Sequence, residues 1–234
     1  MVSQIELGGI ILEVIRKDIK NVHLRVYPPT GAVRISAPLR MSLDTIRALA
    51  LSKLDWIREQ QKILRDHACE ARREYRDRES HYLWGERYLL KVIEVDVAPR
   101  VSIEHGAIVL QVRPGTNVDK RKSVINGWYR QQMKALLPEM IAKWEPVIGV
   151  EVAEWGIKRM KTKWGTCNIP ARRVWINLEL SRKSLQCLEY VLVHEMVHLL
   201  ERCHNHRFKS LMDQYLPNWR QHRDELNRAP LLRE

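Results

Sequence analysis

The sequence predicts an α+β fold, in which a β-rich amino-terminal half with a long helix precedes a half of helices and short antiparallel strands. Near the start, apolar residues alternate with polar ones, as in residues 22–27, a pattern typical of half-buried strands. After Ser42 and after Asp119 they recur every three or four residues, which is the helix period. Strands and helices come in runs, and this order favours α+β over a doubly wound sheet.

Most of the predicted strands lie in the first half of the chain. They cover residues 10–15, 22–27, 32–38, 88–95 and 108–112. The second and third form a hairpin, with Pro28, Pro29 and Gly31 in the turn. Ser42 is a suitable N-cap for a helix that we expect to run to about Arg78.

The pattern changes at Asp119, where a second long helix begins. We therefore place a domain boundary between residues 117 and 118, which separates a scaffold region, 1–117, from a second region, 118–234. Pro138 lies inside this helix and is expected to kink or break it, because proline lacks the N–H that the helix needs.

The rest of the chain is predicted to hold short strands and then helices. Two or three strands are expected between residues 155 and 180. Ser181 or Ser184 caps a third helix that runs into residues 194–198. A helix over about residues 205–215 follows, and a short tail helix begins at Pro217.

Composition excludes several classes of protein. Hydrophobic residues make up 45% and charged residues 29%, which suits a folded domain and argues against disorder. No apolar run approaches the ~20 residues that span a bilayer, so no membrane association is expected. The start of the chain lacks a signal-peptide pattern, and the four cysteines form no C-x-x-C pair. We therefore expect a protein of the reducing cytoplasm.

The chain is strongly basic. Forty Lys and Arg residues against 28 Asp and Glu give a net charge of +12. Such a surplus attracts polyanions, so nucleic acid is a possible partner. A solvated basic surface without any such partner explains the charge equally well.

The strongest functional signal is the H-E-x-x-H motif from His194 to His198. Four residues along a helix rotate about 400°, so the two histidines point to the same side one turn apart. Two imidazoles at that spacing can bind one Zn²⁺ ion. Glu195 lies beside them, where its carboxylate reaches a metal-bound water molecule rather than the metal.

The motif leaves the third protein ligand open. Glu201 shares the helix face of the histidine pair, but in an unbroken helix it lies about 10 Å along the axis from His194. His204 qualifies only if the chain turns back after Glu201. Cys203 is a possible soft donor, or it packs under the turn. The candidates are therefore Glu201, His204, His206 and Asp213.

Several further motifs carry a resemblance to a known family. Residues 159–167 read R-M-K-T-K-W-G-T-C, Asn177-Leu178 precedes the H-E-x-x-H helix, and His204 completes H-E-x-x-H-x5-H, with Phe208 four residues on. These motifs resemble those of the YgjP-like zinc metallopeptidases, relatives of SprT-like proteases and other zincins. The resemblance extends over nearly the whole chain, with further matches at residues 24–26, Pro28 and Trp56-Ile57.

The resemblance implies a zincin-like catalytic half over residues 118–234. His194, His198 and His204 would bind one zinc ion per chain, Glu195 would be the general base, and the substrate would be a peptide or protein. Zincins commonly hold the substrate along an edge strand, an instance of strand addition. Residues 173–180 or 164–167 are candidates for that strand, and the candidate substrate-binding residues are Trp164, Gly165 and Asn177.

Two other functions are open at this stage. The basic charge and the kinship with SprT-like proteins are compatible with a nucleic-acid-associated protein, either a protease of DNA-bound proteins or a basic module with structural zinc. A metal hydrolase that acts on a non-peptide amide also fits the H-E-x-x-H motif. The sequence therefore favours a zinc peptidase without excluding these alternatives.

Overall fold

The chain forms two compact units. The structure is a computed structural model, and the residues that it describes are 2–27, 30–68 and 73–228. One unit lies within residues 1–72 and the other within residues 73–231. Both combine strands with helices, which confirms the predicted α+β class.

The division into units differs from the predicted boundary between residues 117 and 118, which falls inside the second unit. The strand residues Leu90 and Leu110 before it share one hydrophobic core with the helix residues Tyr129 and Met133 after it. Each segment removes apolar surface of the other from water. The second unit therefore includes segments from both sides of the predicted boundary.

Unit 1 is a four-stranded sheet followed by two helices. Its elements are β1 (Val2–Leu7), β2 (Ile10–Lys17), β3 (His23–Tyr27), β4 (Ala32–Pro38), α1 (Leu43–Ser52) and α2 (Leu54–Ala68). The strand order is β1-β2-β4-β3, with β2 and β4 parallel and the other two pairs antiparallel. Leu12, Ile35, Ile46 and Ile57 are fully buried in its core. The three predicted strands and the hairpin pairing are confirmed, whereas β1 was not predicted.

The first predicted helix is shorter than expected. Ser42 is its N-cap and accepts a hydrogen bond from the backbone N–H of Thr45, as predicted. The helix is interrupted at Lys53, and residues 73–78 are not helical. The expected end at Arg78 is therefore wrong, because Tyr75 is buried in the core of unit 2 and the Arg78 N–H bonds to a strand carbonyl. Residues 69–72 of the predicted helix, with the turn residues Pro28 and Pro29, lie outside the described residues.

Unit 2 begins with a second four-stranded sheet and a long helix. Its strands are β5 (Ser80–Leu83), β6 (Glu86–Glu94), β7 (Arg100–Glu104) and β8 (Ala107–Val112), in the order β5-β6-β8-β7. Helix α3 (Val118–Ile148) starts at the N-cap Asn117 and ends at Gly149, whose φ of +76° suits glycine. The helix continues through Pro138, with buried side chains such as Met133, Leu137 and Ile141 on both sides of it. The predicted break therefore does not occur, and a kink at Pro138 stays a prediction.

The remainder of unit 2 is a three-stranded sheet with helices. The elements are β9 (Glu154–Lys158), β10 (Gly165–Asn168), β11 (Arg173–Asn177), a 3-10 helix (Leu178–Arg182), α4 (Leu185–Val197), α5 (His206–Tyr215) and α6 (Trp219–Arg228). The order β10-β11-β9 leaves β10 at an edge, antiparallel to β11. Ser184 caps α4, one of the two predicted caps. None of the helices in the described part of the chain is long and apolar enough to cross a membrane.

Candidate metal centre

The H-E-x-x-H motif occupies the end of α4, a helix buried in the core. Leu188 and Leu192 are fully buried on successive turns, and Val193 beside Leu192 is fully buried too. His194 and His198 leave the helix on one side, with ring centroids 4.9 Å apart. Since the apolar neighbours fix the helix in the core, they also fix the direction of both imidazoles.

The chain reverses direction directly after α4 and brings His204 back to the pair. His198 is the C-cap of α4, and Asn205 is the N-cap of α5, where its side chain accepts a hydrogen bond from the Phe208 N–H. The ring centroid of His204 lies 4.9 Å from that of His194 and 4.7 Å from that of His198. From the sequence, His204 could join the histidine pair only if the chain turned back here, and the structure shows that it does.

Glu201 holds the reversal with both its backbone and its side chain. Its carbonyl oxygen lies 3.0 Å from Nδ1 of His198, and its carboxylate accepts a hydrogen bond from the Cys203 N–H at 3.1 Å. That N–H bond, with smaller contributions from Asn205 and nearby charges, lowers the pKa of Glu201. The carboxylate is thus engaged in the turn and is not part of the histidine cluster.

The other candidate donors also lie outside the cluster. Nδ1 of His206 lies 3.4 Å from the Ser210 hydroxyl on α5. Asp213 accepts hydrogen bonds from the Trp219 indole and the Arg220 guanidinium. The side chain of Cys203 is exposed. Of the donors considered from the sequence, the structure therefore brings only His204 to His194 and His198.

The three imidazoles fit a divalent cation. One ring nitrogen from each lies within 4.8 Å of the others, and Nε2 of His194 lies 2.9 Å from Nε2 of His204. Two neutral ring nitrogens at that distance repel each other unless a proton or a cation lies between them. The Glu201 carbonyl can only accept a hydrogen bond, so Nδ1 of His198 carries the proton. The lone pair of Nε2 is then free to bind a metal.

Burial keeps two of these rings neutral. The pKa of His194 is lowered to about 3, mainly by burial and to a smaller extent by the charges that His198 and His204 would carry. Burial also lowers the pKa of His198. A neutral imidazole is the form that binds zinc, so the protein holds these histidines in the ligand form at pH 7.

Glu195 lies beside the cluster and is packed against a glycine. Its side chain is 6% exposed, and burial raises its pKa to about 8, while the charge of Lys163 acts in the opposite direction. A Cβ atom at Gly165 would lie 2.6 Å from Oε1 of Glu195 and 2.7 Å from its Cγ. Only glycine therefore allows β10 to approach the carboxylate this closely.

A cleft runs past the histidines and Glu195. Residues 163–170, which include all of the edge strand β10, line it together with Tyr190 and Arg202. Trp164 and Gly165, both predicted from the sequence to contact substrate, are thus in this cleft. Tyr190 was not predicted from the sequence, although it lies one helical turn before His194 on α4 and its ring meets that imidazole edge-on at 5.8 Å.

Comparison with known proteins identifies the family. The chain matches the family model described as "YgjP-like, metallopeptidase domain" over residues 20–229. It belongs to the YgjP-like family. Neither a search of the curated proteins nor a search of the solved structures gave a match. Membership of this metallopeptidase family implies a peptidase that uses a metal, and the histidine cluster is compatible with one.

Asn177 of this YgjP-like chain does not line the cleft. Its side chain is fully buried and makes hydrogen bonds to the loop that precedes β10. The amide donates to the carbonyls of Met160 and Lys163 at 2.8 and 2.7 Å, and its oxygen accepts from the N–H groups of Met160 and Glu179. The sequence predicted a substrate-binding residue here, whereas these contacts favour a residue that positions Trp164 and Gly165.

Replacement of Asn177 by Ala should loosen that loop. Two carbonyls and two N–H groups in partly buried hydrogen bonds lose their partner, and one buried unsatisfied group costs about 1–3 kcal/mol. We expect the free energy of unfolding to fall by about 2–4 kcal/mol in urea titrations, with faster hydrogen exchange at residues 160–164. Asn168→Ala is the control, because its exposed side chain accepts a single bond, from Ala171. Equal losses in the two variants would contradict the positioning role.

Proposed function

We propose that this YgjP-like protein is a zinc-dependent peptidase that hydrolyses peptide bonds in peptides or proteins. His194, His198 and His204 would hold one catalytic zinc ion per chain. The observation that carries the proposal is the convergence of three imidazole nitrogens beside a buried carboxylate in an open cleft. Three protein nitrogen ligands with one open position are typical of catalytic zinc.

Glu195 is the proposed general base. A bound Zn²⁺ ion would polarise the scissile carbonyl and lower the pKa of a water molecule. Glu195 would accept the proton of that water on a carboxylate oxygen and pass it to the leaving amine nitrogen. Burial raises the pKa of this carboxyl, and a carboxylate with a raised pKa accepts a proton more readily than an exposed one.

Strand β10 is the proposed binding site for the substrate backbone. It is paired with β11 on one side only, and its residues line the cleft. An extended peptide can therefore add to its other side through main-chain hydrogen bonds. Trp164 would contact substrate, and Gly165 would let the substrate strand and Glu195 lie close together. Of the two segments considered from the sequence, the cleft favours 164–167 over 173–180.

The nucleic-acid alternative has no support from the comparisons. The basic charge that suggested it is compatible with a solvated surface. The family match favours a peptide or protein as the substrate. Nucleic-acid binding stays a prediction from the basic charge and the kinship with SprT-like proteins.

The Glu195→Gln variant tests the proposed base. Glutamine keeps the size of the side chain but cannot take up the proton, so we expect kcat to fall by about 10²–10⁴-fold while the zinc content is unchanged. Glu189→Gln is the matched control on the same helix, because Glu189 bonds to Lys143 and Trp144 instead of facing the cleft. Turnover of a peptide library and metal analysis are the measurements. Activity of Glu195→Gln within a few-fold of wild type would refute the general-base role of Glu195.

The His204→Ala variant tests the third ligand. Loss of a direct ligand should weaken zinc binding at this site by roughly 100-fold or more, since even changes around a ligand cost about 10–100-fold. Competition with a chromophoric chelator measures the affinity. His206→Ala is the control, because His206 lies two residues further on, outside the cluster. If His204→Ala binds zinc as tightly as wild type, the third donor is another residue, such as Glu201 or His206.

The Gly165→Ala variant tests the close approach of β10 to Glu195. The added methyl group would overlap Cγ of Glu195, so rotation of the carboxylate alone cannot relieve the clash. We expect peptidase activity to fall by at least about 10-fold, because a misplacement of about 1 Å can cost 10²-fold. Gly127→Ala is the control, since nothing lies within 4 Å of its added Cβ. Equal activity of the two variants would show that the position of the Glu195 carboxylate does not depend on Gly165.

A further inference from the structure

A second group of metal-binding side chains lies at the other end of α4. In the part of the chain that the structure describes, two groups of three side chains place potential ligand atoms within 4.8 Å of one another. One is the histidine cluster, and the other is Cys187, His222 and Glu225. His222 and Glu225 are three residues apart on α6, so they lie on one face of that helix. Cys187 faces them from the first turn of α4.

We infer that Cys187, His222 and Glu225 form a second zinc site, which joins α4 to α6. One thiolate, one imidazole and one carboxylate supply three ligands of types that bind zinc, and water can complete a tetrahedral set. A thiolate ligand favours zinc over magnesium or calcium, which prefer oxygen ligands. The Cys187 thiol would release its proton to solvent when the S–Zn bond forms.

Neighbouring contacts hold the three donors in place. The Ser184 hydroxyl lies 3.0 Å from Oε1 of Glu225, which fixes this carboxylate at the start of α4. The Cys187 sulfur lies 3.8 Å from the backbone carbonyl of His222, so the two helices already touch at this point. Cys187 is fully buried, while Glu225 is exposed, which leaves the group open to solvent on one side.

The second site would be separate from the catalytic one. Cys187 and His194 are seven residues apart on α4, about 10 Å along the helix axis, too far to share an ion. The two are connected by packing, since Tyr190 stacks on Trp219 of α6 at 6.3 Å and meets His194 edge-on. An ion at Cys187 would therefore fix the helix that supports this stack. The inference does not depend on the proposed peptidase activity.

Cobalt substitution distinguishes the two sites. Thiolate bound to Co²⁺ gives an intense near-ultraviolet charge-transfer band, and the histidine cluster contains no thiolate. We expect the metal-free full-length protein to develop this band on titration with Co²⁺, and His222→Gln, Glu225→Gln and Cys187→Ser to lose most of it. Cys167→Ser and Cys203→Ser are the controls for the other free cysteines of the described residues and should keep the band.

Zinc content and thermal stability give independent readouts. Wild type should hold about two zinc ions per chain and His222→Gln about one. Zinc should still raise the Tm of His194→Ala, in which the histidine cluster is disrupted, but not of His194→Ala combined with His222→Gln. His222 and Glu225 lie on α6 and are not fully buried, so their variants remain informative if Cys187→Ser fails to fold.

Three results would overturn the second site. One is a wild-type protein that gives no thiolate band with Co²⁺. Another is a band that persists in both His222→Gln and Glu225→Gln. The third is a band lost in Cys167→Ser or Cys203→Ser instead, which would assign the thiolate to another cysteine. Retained activity of Glu195→Gln, in contrast, would refute the general-base role of Glu195, and absence of peptide turnover by the zinc-loaded wild type would refute the peptidase proposal; neither result affects this site.

Discussion

The chain reversal after His198 is the feature on which the proposed metal centre depends. An unbroken helix would carry residue 204 about 240° round from His198 and out of reach of the pair. Glu201 prevents this with two groups, a carbonyl that orients the His198 ring and a carboxylate that binds the Cys203 N–H. The same residue thus selects the ring nitrogen that is available to a metal and closes the turn that returns His204. The Asn205 cap then starts α5 at once, so that the reversal stays short.

Glu195 lies next to the histidine cluster on the buried helix α4, and its carboxylate needs space on the neighbouring strand β10. Glu195 is accommodated because β10 presents a glycine, and β10 is aligned by its register with β11, where Gly165 pairs with Ile176. Asn177, the next residue of β11, bonds to the loop before β10 and so fixes the approach of that strand. The small sheet therefore acts as a positioning device for Glu195 in addition to forming one wall of the cleft.

Local signals of the sequence were sufficient for the elements that carry the site, and long-range packing explains most of what they missed. The helix that carries H-E-x-x-H and one of its two candidate caps, Ser184, were predicted, because an N-cap is a local hydrogen bond. A helix beginning near residue 205 was also predicted, and the structure shows that Asn205 caps it. The predicted helix end at Arg78 was wrong because a tertiary contact, the burial of Tyr75, determines the conformation there. The role of Gly165 could not be derived, since its contact with Glu195 joins residues 30 positions apart. His204 was selected among four donors only through the family resemblance.

The packing of the three imidazole rings indicates how rigidly the side chains of the proposed metal ligands are held. Phe208 is 2% exposed and contacts the rings of His194, His198 and His204, with centroid distances of 4.9, 4.7 and 4.8 Å. A single aromatic side chain on α5 thus restricts the rotamers of the proposed ligands, which come from α4 and from the reversal. Side chains that are already ordered lose little conformational entropy when they bind an ion. Hydrophobic packing around Phe208 would therefore contribute to the affinity of the proposed zinc site, although this residue has no atom that could bind a metal.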